Sequence, residues 1–485
     1  MPARTGQQYL EGLRQQPREI YLGGQRVKDV TAFPGLAGGA RSLAGLYDMQ
    51  HDPDLREEMT YASPTSGQPV GLSFLAPRTK DDLARRRAMM SRWAHTSYGM
   101  MGRTPDFLNV SLMCMAEAGD YFAQNRPEFK QNIVSYYEYV RENDLTLTHT
   151  LVNLQRNRRP AATSRHFSTD VALAVVEETD AGIVVQGART LATLGPLSDE
   201  IAVYPTRGQQ LANTDEAWRY AFAFAVPCGI PGLKFLCRES YDLGRSQFDH
   251  PLGSRFEEMD AIVFFDNVLV PWERVFLYRD ADLCNEISAA TNQYTHSGHQ
   301  VVTKNVAKCE FVLGLASLMV KTLGSGSMPQ VQILVAELIE DLEIMRALLL
   351  TSETEAALDR WGVMCPSRIP ITVARNQFIR MYPRMVEIIQ LLGSSSLMAL
   401  PTEADFSGPL AQHIEQYMDT DTATSRERVQ LFRLAWDLAC SAFGSRQVLY
   451  ERYFQGDWMR NASVLFGGYD TEDLMQQVRD FLARS

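Results

Sequence analysis

GMMGRTPDFLN, residues 99–109, is the most informative segment of the chain, and it places Arg103 directly after a glycine. Two companion segments follow downstream, LTHT at residues 147–150 and NLQRNR at residues 153–158. On the residues alone, an arginine after a glycine indicates a surface turn. A histidine between two threonines, as at His149, indicates a core histidine whose hydrogen bonds are satisfied. The surrounding sequence has to decide whether these two side chains do more.

Four more segments lie around these three in a defined order along the chain. They are LYDMQHDP at 46–53, FDHP at 248–251, FDNVLVPWERV at 265–275 and FGSRQ at 443–447. The ordered set resembles the 4-hydroxyphenylacetate 3-hydroxylase family, the oxygenase component of two-component flavin monooxygenases that add a hydroxyl ortho to a phenol. The resemblance runs nearly from end to end. One position departs from the family, because Phe107 stands where a tyrosine usually lies beside the substrate phenol.

The composition is that of a globular enzyme of some size. The 485 residues exceed the roughly 250–300 at which single cores stop growing, so two or three subdomains are expected. Hydrophobic residues make up 45% and charged residues 22%, and no run of about 18 apolar residues predicts a membrane span. The N-terminus lacks the apolar region of a signal peptide, which predicts a cytoplasmic protein.

Charge and cysteine content argue against several other classes. With a net charge of −11 and no dense Lys/Arg stripe, a nucleic-acid partner is not expected. The basic RNRR cluster at 156–159 is too short to follow a phosphate backbone, although it could neutralise the phosphates of a cofactor. Seven dispersed cysteines without metal-ligand spacing predict reduced thiols and no metal site. Residues 99–103 hold no cysteine, whereas related 4-hydroxybutyryl-CoA dehydratases carry an iron–sulfur cluster there.

Hydrophobic patterning divides the chain into three parts. Residues 1–145 read mainly as helix, residues 146–275 as short β-prone runs separated by turn signals, and residues 276–485 as helix again. The middle pattern is typical of an antiparallel β domain or a small barrel. The resemblance implies an α+β, acyl-CoA dehydrogenase-like fold with an N-terminal helical domain, a middle antiparallel β domain and a C-terminal helical bundle.

Three local patterns are specific within the last part. A long apolar stripe follows helical spacing at Val331, Leu334, Val335, Leu338, Ile339, Leu342 and Met345, and we expect it in the core. TSRE at 424–427 predicts a capping box at the start of another helix. GSGSMP at 324–329 is a flexible break that is expected to join two bundle helices.

The source of electrons is predicted to be a second protein. No G-x-G-x-x-G or Walker-type loop is present, so a built-in NAD(P)H site is not expected. The resemblance implies a separate NAD(P)H:flavin reductase that supplies FAD as FADH2, with O2 as co-substrate. Such a cofactor is needed because protein side chains alone cannot carry out O2 chemistry. The resemblance also implies a flavin C4a-hydroperoxide as the oxygen donor and a homotetrameric assembly.

Several residues match the substrate side of the family site. The resemblance implies that Arg103 stabilises the developing phenolate and that His149 hydrogen-bonds the phenol or takes its proton. Phe107 keeps the ring volume of the usual tyrosine without its hydroxyl, so substrate selection is expected to differ. Thr206 and Arg207 match a loop that closes over the substrate tail, where Arg207 could pair with a carboxylate.

His296 is a reserve catalytic candidate. It forms an i, i+3 pair with His299, but no carboxylate or cysteine lies at helical spacing, so a zinc site is not predicted. In some halophenol-hydroxylating relatives a histidine of this region is the base. The alternative for His296 is core packing or a role at the start of a helix.

A further set matches family positions that contact FAD. Thr193 matches the threonine near the isoalloxazine ring, where a preorganised hydroxyl could hydrogen-bond the N5 region. Residues 444–447 match a segment that often reaches FAD across a subunit boundary. The predicted cofactor contacts are Thr148, His149, Thr150, Gln155, Arg158, Thr193, Gly444, Ser445, Arg446 and Gln447.

The predicted function is an FADH2-dependent monooxygenase that hydroxylates a phenol ortho to its hydroxyl. The substrate stays open among 4-hydroxyphenylacetate, free or carrier-bound tyrosine, a hydroxycinnamate, and a halogenated or nitrated phenol. An acyl-CoA dehydrogenase-like catalyst using oxidised FAD is one alternative, but it requires a catalytic carboxylate that the sequence does not identify. A non-catalytic scaffold is another, and the joint presence of Arg103, His149, Gln155 and Thr193 argues against it.

Overall fold

Helices form most of the N-terminal part of the chain. The computed structural model describes residues 3–154, 171–205, 211, 217–242, 244–456 and 458–484. Helix starts follow the local sequence: Thr79 and Asp82 form a capping box, and Pro105 and Pro127 occupy first turns, where a missing N–H costs nothing. The elements are α1 (Gly6–Gln15), β1 (Glu19–Leu22), β2 (Gln25–Val27), α2 (Ala37–Asp48), α3 (Arg56–Met59), β3 (Thr60–Ala62), β4 (Pro69–Gly71), α4 (Lys80–Thr96), α5 (Pro105–Glu117), α6 (Gly119–Ala123) and α7 (Pro127–Asn143).

Two sheets form the middle of the chain. One has the order β2-β1-β11-β12-β8-β6 with β7 also paired to β8, and the other has the order β13-β10-β9-β5. Most pairs are antiparallel as predicted, but β1 runs parallel to β11 and β5 runs parallel to β9. The elements are β5 (Leu147–Thr150), β6 (Val152–Asn153), β7 (Ala174–Thr179), β8 (Gly182–Thr193), β9 (Glu200–Val203), β10 (Phe222–Pro227), β11 (Leu233–Cys237), α8 (Gly253–Phe256), β12 (Asp260–Pro271) and β13 (Val275–Tyr278).

The N-terminal hairpin of β1 and β2 belongs to the larger sheet. Ile20 pairs in register with Phe235 of β11, although more than two hundred residues separate them. Nearby, the buried Arg4 guanidinium donates to Asp199 at 2.5 Å, and the Tyr9 hydroxyl donates to the Leu197 carbonyl at 2.7 Å. The first residues of the chain are therefore tied to its middle.

The C-terminal part is a helical bundle built around α10. This long helix packs against α11 and α12 and also against α4 and α5 of the N-terminal part, so it joins the two helical regions. The elements are α9 (Ala281–Ala290), α10 (Gln293–Thr322), α11 (Pro329–Thr354), β14 (Ala357–Leu358), β15 (Met364–Cys365), α12 (Arg368–Gly393), α13 (Ala411–Met418), α14 (Ser425–Ala439), α15 (Ala442–Tyr453), α16 (Trp458–Gly468) and α17 (Glu472–Leu482).

Two of the three local predictions for the bundle are confirmed, and the third is confirmed only in part. The capping box is confirmed, since Thr424 Oγ1 accepts from the Glu427 N–H at 3.3 Å and Glu427 Oε2 accepts from the Thr424 N–H at 2.9 Å. The break at 324–329 joins α10 to α11 as predicted. The core prediction for α11 is confirmed at Leu338, Leu342 and Met345. It is wrong at Ile339, which is 47% exposed, and the three residues of the first turns are only partly buried, Val331, Leu334 and Val335. Ile333 and Leu350 of α11 are also exposed, so this helix carries apolar residues outside its buried stripe.

Within the described ranges, no helix combines the length and the apolar character needed to cross a membrane. Over the same ranges, no group of three His, Cys, Asp or Glu side chains could hold a metal ion. All seven cysteines are free thiols, and five of them are buried.

Candidate active site

A narrow cavity of about 30 Å³ lies where the N-terminal helices, the smaller sheet and the C-terminal bundle meet. Its walls come from α5, from the ends of β5 and β9, from α10 and α12, and from the residue that follows α15. The lining residues are Arg103, Phe107, Leu108, Ser111, His149, Leu151, Tyr204, Gln293, Ser297, Arg375 and Phe454.

Arg103 is held by the loop that joins α4 to α5. A Cβ at Gly102 would overlap the Tyr450 ring, so the close approach of this loop to α15 requires glycine. The Arg103 N–H donates to Glu258 Oε1 at 2.6 Å. Its guanidinium donates through Nη1 to the Tyr450 hydroxyl at 2.5 Å and to the Gly102 carbonyl at 3.2 Å. The guanidinium is therefore fixed at the cavity wall.

Phe107 contacts both residues that the sequence assigned to the phenol. The guanidinium carbon of Arg103 lies 4.0 Å from the centroid of the Phe107 ring, which is a close cation–π contact. The His149 ring stacks on the Phe107 ring, with 5.7 Å between the two centroids and an angle of 24° between the rings. The structure thus brings Arg103, Phe107 and His149 together in one cavity.

The predicted flavin threonines lie on adjoining strands behind His149. Because side chains alternate along β5, Thr148 and Thr150 turn away from the His149 side. Thr148 Oγ1 donates to the Thr193 carbonyl at 2.7 Å, and Thr150 Oγ1 donates to the Thr190 carbonyl at 3.0 Å. Thr193 Oγ1 donates to Asp260 Oδ1 at 2.7 Å. A hydroxyl that has donated its proton can still accept, so Thr193 is prepared to receive an N–H.

Buried charges connect Thr193 to Arg103. Arg446 donates to the two Asp260 oxygens at 2.8 and 2.9 Å and to Glu258 Oε2 at 3.1 Å, while the other Glu258 oxygen accepts from Arg103. Burial would lower the pKa of Arg446, but the charges of Asp260 and Glu258 raise it well above its ordinary value. Burial would likewise raise the pKa of Asp260, but the Arg446 charge lowers it below its usual range. The Arg446–Asp260 pair therefore stays ionised.

The rest of the FGSRQ segment fastens α15 to the Arg103 loop. Gln447 Nε2 donates to the Met100 carbonyl at 2.9 Å, and its Oε1 accepts from Lys308 Nζ at 3.0 Å. Gly444 is buried against the end of α14, where a Cβ would overlap the backbone. Ser445 is the exposed member of the segment. Contacts of these residues with FAD stay a prediction.

His296 has the surroundings of a packed core histidine. It is 1% exposed, and its Nδ1 lies 3.0 Å from Arg86 Nη2. Burial, together with the Arg86 charge, lowers the pKa of His296 well below its ordinary value, so the ring is neutral. Gln293 and Ser297 of the same helix line the cavity, but His296 does not. Its role as a reserve base stays a prediction that this environment does not favour.

Four predicted contacts lie outside the described residues. They are Gln155 and Arg158 on the flavin side, and Thr206 and Arg207 on the substrate side. The segments that carry them leave the described structure just after β6 and β9, next to the cavity. Their roles stay predictions.

Sequence reasoning missed two residues at the site, Arg375 and Tyr450. Arg375 lies in the buried stripe of α12 between Ile371 and Phe378, and it is 4% exposed. A charged residue inside an apolar helical stripe is a signal that periodicity analysis can find. Tyr450 has no such signal, because it comes one turn after the matched segment 443–447 and reads as an ordinary helix residue.

The donor set of the cavity suits an anionic aromatic ligand. Neither Arg103 nor Arg375 forms an ion pair with any described carboxylate, and the rings of Phe107 and Phe454 supply apolar wall. Both a phenolate and a reduced flavin ring meet this description, and the Thr193 oxygen can serve the flavin. The described lining contains no acidic residue, so it lacks the carboxylate that the dehydrogenase alternative requires.

Comparison with known proteins gives matches over almost the whole chain. Family models described as 4-hydroxyphenylacetate 3-hydroxylase N terminal and C terminal match residues 5–277 and 284–483. The 4-hydroxyphenylacetate 3-monooxygenase oxygenase component of Geobacillus sp. is 47% identical, over 99% of this chain and 97% of that protein. Its counterpart in Thermus thermophilus is 45% identical, over 100% and 98%. A crystal structure of such a component complexed with FAD and 4-hydroxyphenylacetate is 44% identical, with a TM-score of 0.93 over 99% of this chain and 98% of that chain.

Proposed function

Because the chain belongs to the 4-hydroxyphenylacetate 3-hydroxylase family and has its acyl-CoA dehydrogenase-like fold, we propose that it is the oxygenase component of a flavin-dependent phenol monooxygenase. Bound reduced FAD supplies two electrons to O2, so that one oxygen atom enters the ring as a hydroxyl, the other leaves as water and FAD is left oxidised. The observation that carries the proposal is the meeting of Arg103, Phe107 and His149 in one cavity.

The substrate hydroxyl is proposed to lie against Arg103 and His149. Arg103 is 8% exposed, and only the Nη1 group of its guanidinium donates to described residues, which leaves Nε and Nη2 for a phenolate oxygen. An imidazole at His149 can accept the phenol proton, which makes the ring more electron-rich toward oxygen. Phe107 supplies a face for the substrate ring rather than a third polar contact.

The flavin is proposed to lie beside β5, β8 and α15. The proposed contacts on the strand side are Thr148, His149, Thr150 and Thr193, and those on the helix side are Gly444, Ser445, Arg446 and Gln447. Gln155 and Arg158 complete the set on the segment outside the described residues. The Asp260–Arg446 pair supports this assignment, because it orients the Thr193 hydroxyl by accepting its proton.

We propose a substrate of the 4-hydroxyphenylacetate class, with Thr206 and Arg207 closing over its tail. This class is named by the relatives and by the ligand of the matched crystal structure, which is said of those proteins. A tyrosine-like or substituted phenol is the nearest alternative, since Phe107 departs from the usual tyrosine. His296 is kept only as a reserve base.

The remaining proposals concern partners and organisation. A separate NAD(P)H:flavin reductase supplies the reduced FAD, which places the proposed reaction in the cytoplasm with the nicotinamide pool. We propose a homotetramer, supported by apolar residues left exposed on α11 and on the C-terminal helices, such as Ile333, Phe466 and Phe481. We also propose domain boundaries near residues 145 and 275.

The test is a reconstituted reaction with the purified chain. FAD, NADH, O2, 4-hydroxyphenylacetate and an unrelated flavin reductase should give the ortho-dihydroxylated product, with the amount of product per NADH and the release of hydrogen peroxide as readouts. Without the reductase, the chain should not consume NADH. NADH oxidation by the chain alone, or flavin turnover without aromatic product, would contradict the proposal.

A further inference from the structure

Arg375 is a buried arginine that the proposed reaction does not yet use. It lies in the inward-facing stripe of α12, is 4% exposed, and lines the same cavity as Arg103 and His149. Arg375 lies on α12 of the C-terminal bundle. Arg103 lies in the loop before α5, and His149 lies on β5. The side chain therefore approaches the cavity from a different wall.

The partners of Arg375 hold its guanidinium but do not neutralise it. Nε donates to the Gln455 side-chain oxygen, and Nη1 donates to the Tyr294 carbonyl at 3.3 Å. The guanidinium also stacks on the Tyr294 ring, 4.0 Å from its centroid. All of these partners are neutral, and Nη2 donates to no described residue. The geometry leaves a fixed pair of N–H donors whose charge is uncompensated within the described structure.

A second positive charge, that of Arg103, lies near Arg375 and makes its burial without a described anionic partner still less favourable. Arg103 also lines this cavity and also lacks an ion pair with a described carboxylate. Burial lowers the pKa of Arg375, and the nearby Arg103 charge lowers it further. A buried charge without a partner is strongly unfavourable, so two of them in one cavity require anionic oxygen from a ligand.

We propose that Arg375 binds a carboxylate on the tail of the aromatic substrate, while Arg103 and His149 receive its phenolic hydroxyl. This inference rests on the proposed function and assigns an anionic subsite within that site. A guanidinium suits a carboxylate because its parallel N–H donors match two oxygens. Ser297 and Gln293, on the adjoining wall of α10, add neutral polar groups near that end of the ligand. The substrate is thus a phenolic acid rather than a neutral phenol.

The test compares two ligands that differ in one charge. Equilibrium binding of 4-hydroxyphenylacetate and of its neutral amide, 4-hydroxyphenylacetamide, is measured by calorimetry on the full chain, with and without FAD. In Arg375→Met we expect the affinity for the acid to fall about 10- to 100-fold while the affinity for the amide changes less than about twofold. Arg375→Lys should recover part of the affinity for the acid.

Two control variants keep the result specific. Arg380→Met removes the same charge from an exposed position of α12, and it should leave both affinities unchanged. Arg207→Met tests the loop outside the described residues. If that variant loses affinity for the acid and Arg375→Met does not, the proposal is wrong and the carboxylate belongs to the loop.

Other outcomes would also overturn the proposal. Equal losses for the acid and the amide would mean that Arg375 serves the phenolic end or the fold, and a fall in FAD affinity alone would assign it to the flavin phosphates. If Arg375→Met does not fold, binding of the acid and the amide is measured on Arg375→Lys and on the unaltered chain instead. If the unaltered chain binds the acid and the amide with nearly equal affinity, the proposal is wrong. Because binding needs no turnover, a chain that binds the acid but makes no product would refute the proposed function and leave this inference standing.

Discussion

The buried arginines of the site differ in how their charge is balanced. Arg446 is paired with Asp260 and Glu258. The guanidiniums of Arg103 and Arg375, by contrast, donate only to neutral groups among the described residues. The charge of Arg446 is balanced by these carboxylates, so this arginine braces the site and brings no uncompensated charge to its proposed flavin contact. The unpaired group retains donors and charge, so the comparison separates what supports the site from what binds there.

Removing the paired arginine should give the largest effect. Arg446→Met leaves the buried Glu258 without an ion pair and leaves Asp260 with only Arg238, so we expect the free energy of unfolding to fall by about 3–5 kcal/mol, measured by urea denaturation. The matched control is Arg384→Met, which breaks an exposed pair with Glu337 and Glu387 and should cost no more than about 1 kcal/mol. Similar losses in the two variants would remove the distinction between brace and surface pair.

Removing the unpaired arginine should act on catalysis rather than on stability. For Arg103→Ala and for His149→Ala we expect the rate of hydroxylation to fall on the order of 10²-fold or more, because phenolate stabilisation or proton transfer is lost. The measurement is aromatic product per reduced FAD supplied, with hydrogen peroxide as the complementary product. An unchanged yield would contradict the roles assigned to these two residues.

Asp106 extends the comparison to a buried acid that has no cationic partner among the described residues. It is 1% exposed and accepts from Gln300 Nε2 at 3.1 Å, and burial raises its pKa to about 6. The folded state therefore favours the protonated form of Asp106. Its contribution to the free energy of unfolding is fully present below the unfolded pKa of about 4 and is lost as the pH rises through the folded pKa of about 6. Relative to the unaltered chain, Asp106→Asn should gain about 2–3 kcal/mol of unfolding free energy between pH 4 and pH 8.

Urea denaturation at several pH values measures this gain. Asp421→Asn, at an exposed position, is the control and should run parallel to the unaltered chain. A parallel curve for Asp106→Asn as well would mean that Asp106 is ionised in the folded state and is compensated by a group outside the described residues.

Restoring the usual tyrosine should give the smallest effect. In Phe107→Tyr the added hydroxyl is worth about 0.5–1.5 kcal/mol if it finds a partner and costs about 1–3 kcal/mol if it stays buried without one. We expect the first case, with tighter binding of 4-hydroxyphenylacetate, because Arg103 and His149 already contact this ring. Phe454→Tyr, on another wall of the cavity, is the control. Equal activity of the two forms of residue 107 across a panel of phenols would mean that this ring does not contact the substrate.

The sequence predicted those features that depend on local pattern or on a family motif. The capping box at Thr424 follows from four adjacent residues, and it is present. The order of helix, sheet and helix also follows from patterning. Arg103, Phe107 and His149 were identified from motifs, but no local pattern could state that the Phe107 ring contacts both of the others. That contact depends on how α5 packs against β5.

Contacts between distant parts of the chain were not predictable from the sequence. The parallel pairing of β1 with β11 joins segments that share no common motif. Ile339 follows the apolar period of α11 and yet is exposed, because the period marks an apolar surface without saying what covers it. Arg375 interrupts an apolar stripe, which marks the residue, but only the packing of α12 shows which cavity its side chain lines. In each case the missing information is which surfaces meet.

The hydrogen bond between Arg103 and Tyr450 has a consequence for the order of synthesis, because 347 positions separate the two residues. A ribosome adds about 5–20 residues per second, so Tyr450 is made roughly 20–70 seconds after Arg103. During that interval the loop of the arginine has neither its hydroxyl partner nor the brace supplied by Arg446. A nascent chain can fold its N-terminal helices and its sheets, yet it acquires a competent cavity only when translation is nearly finished.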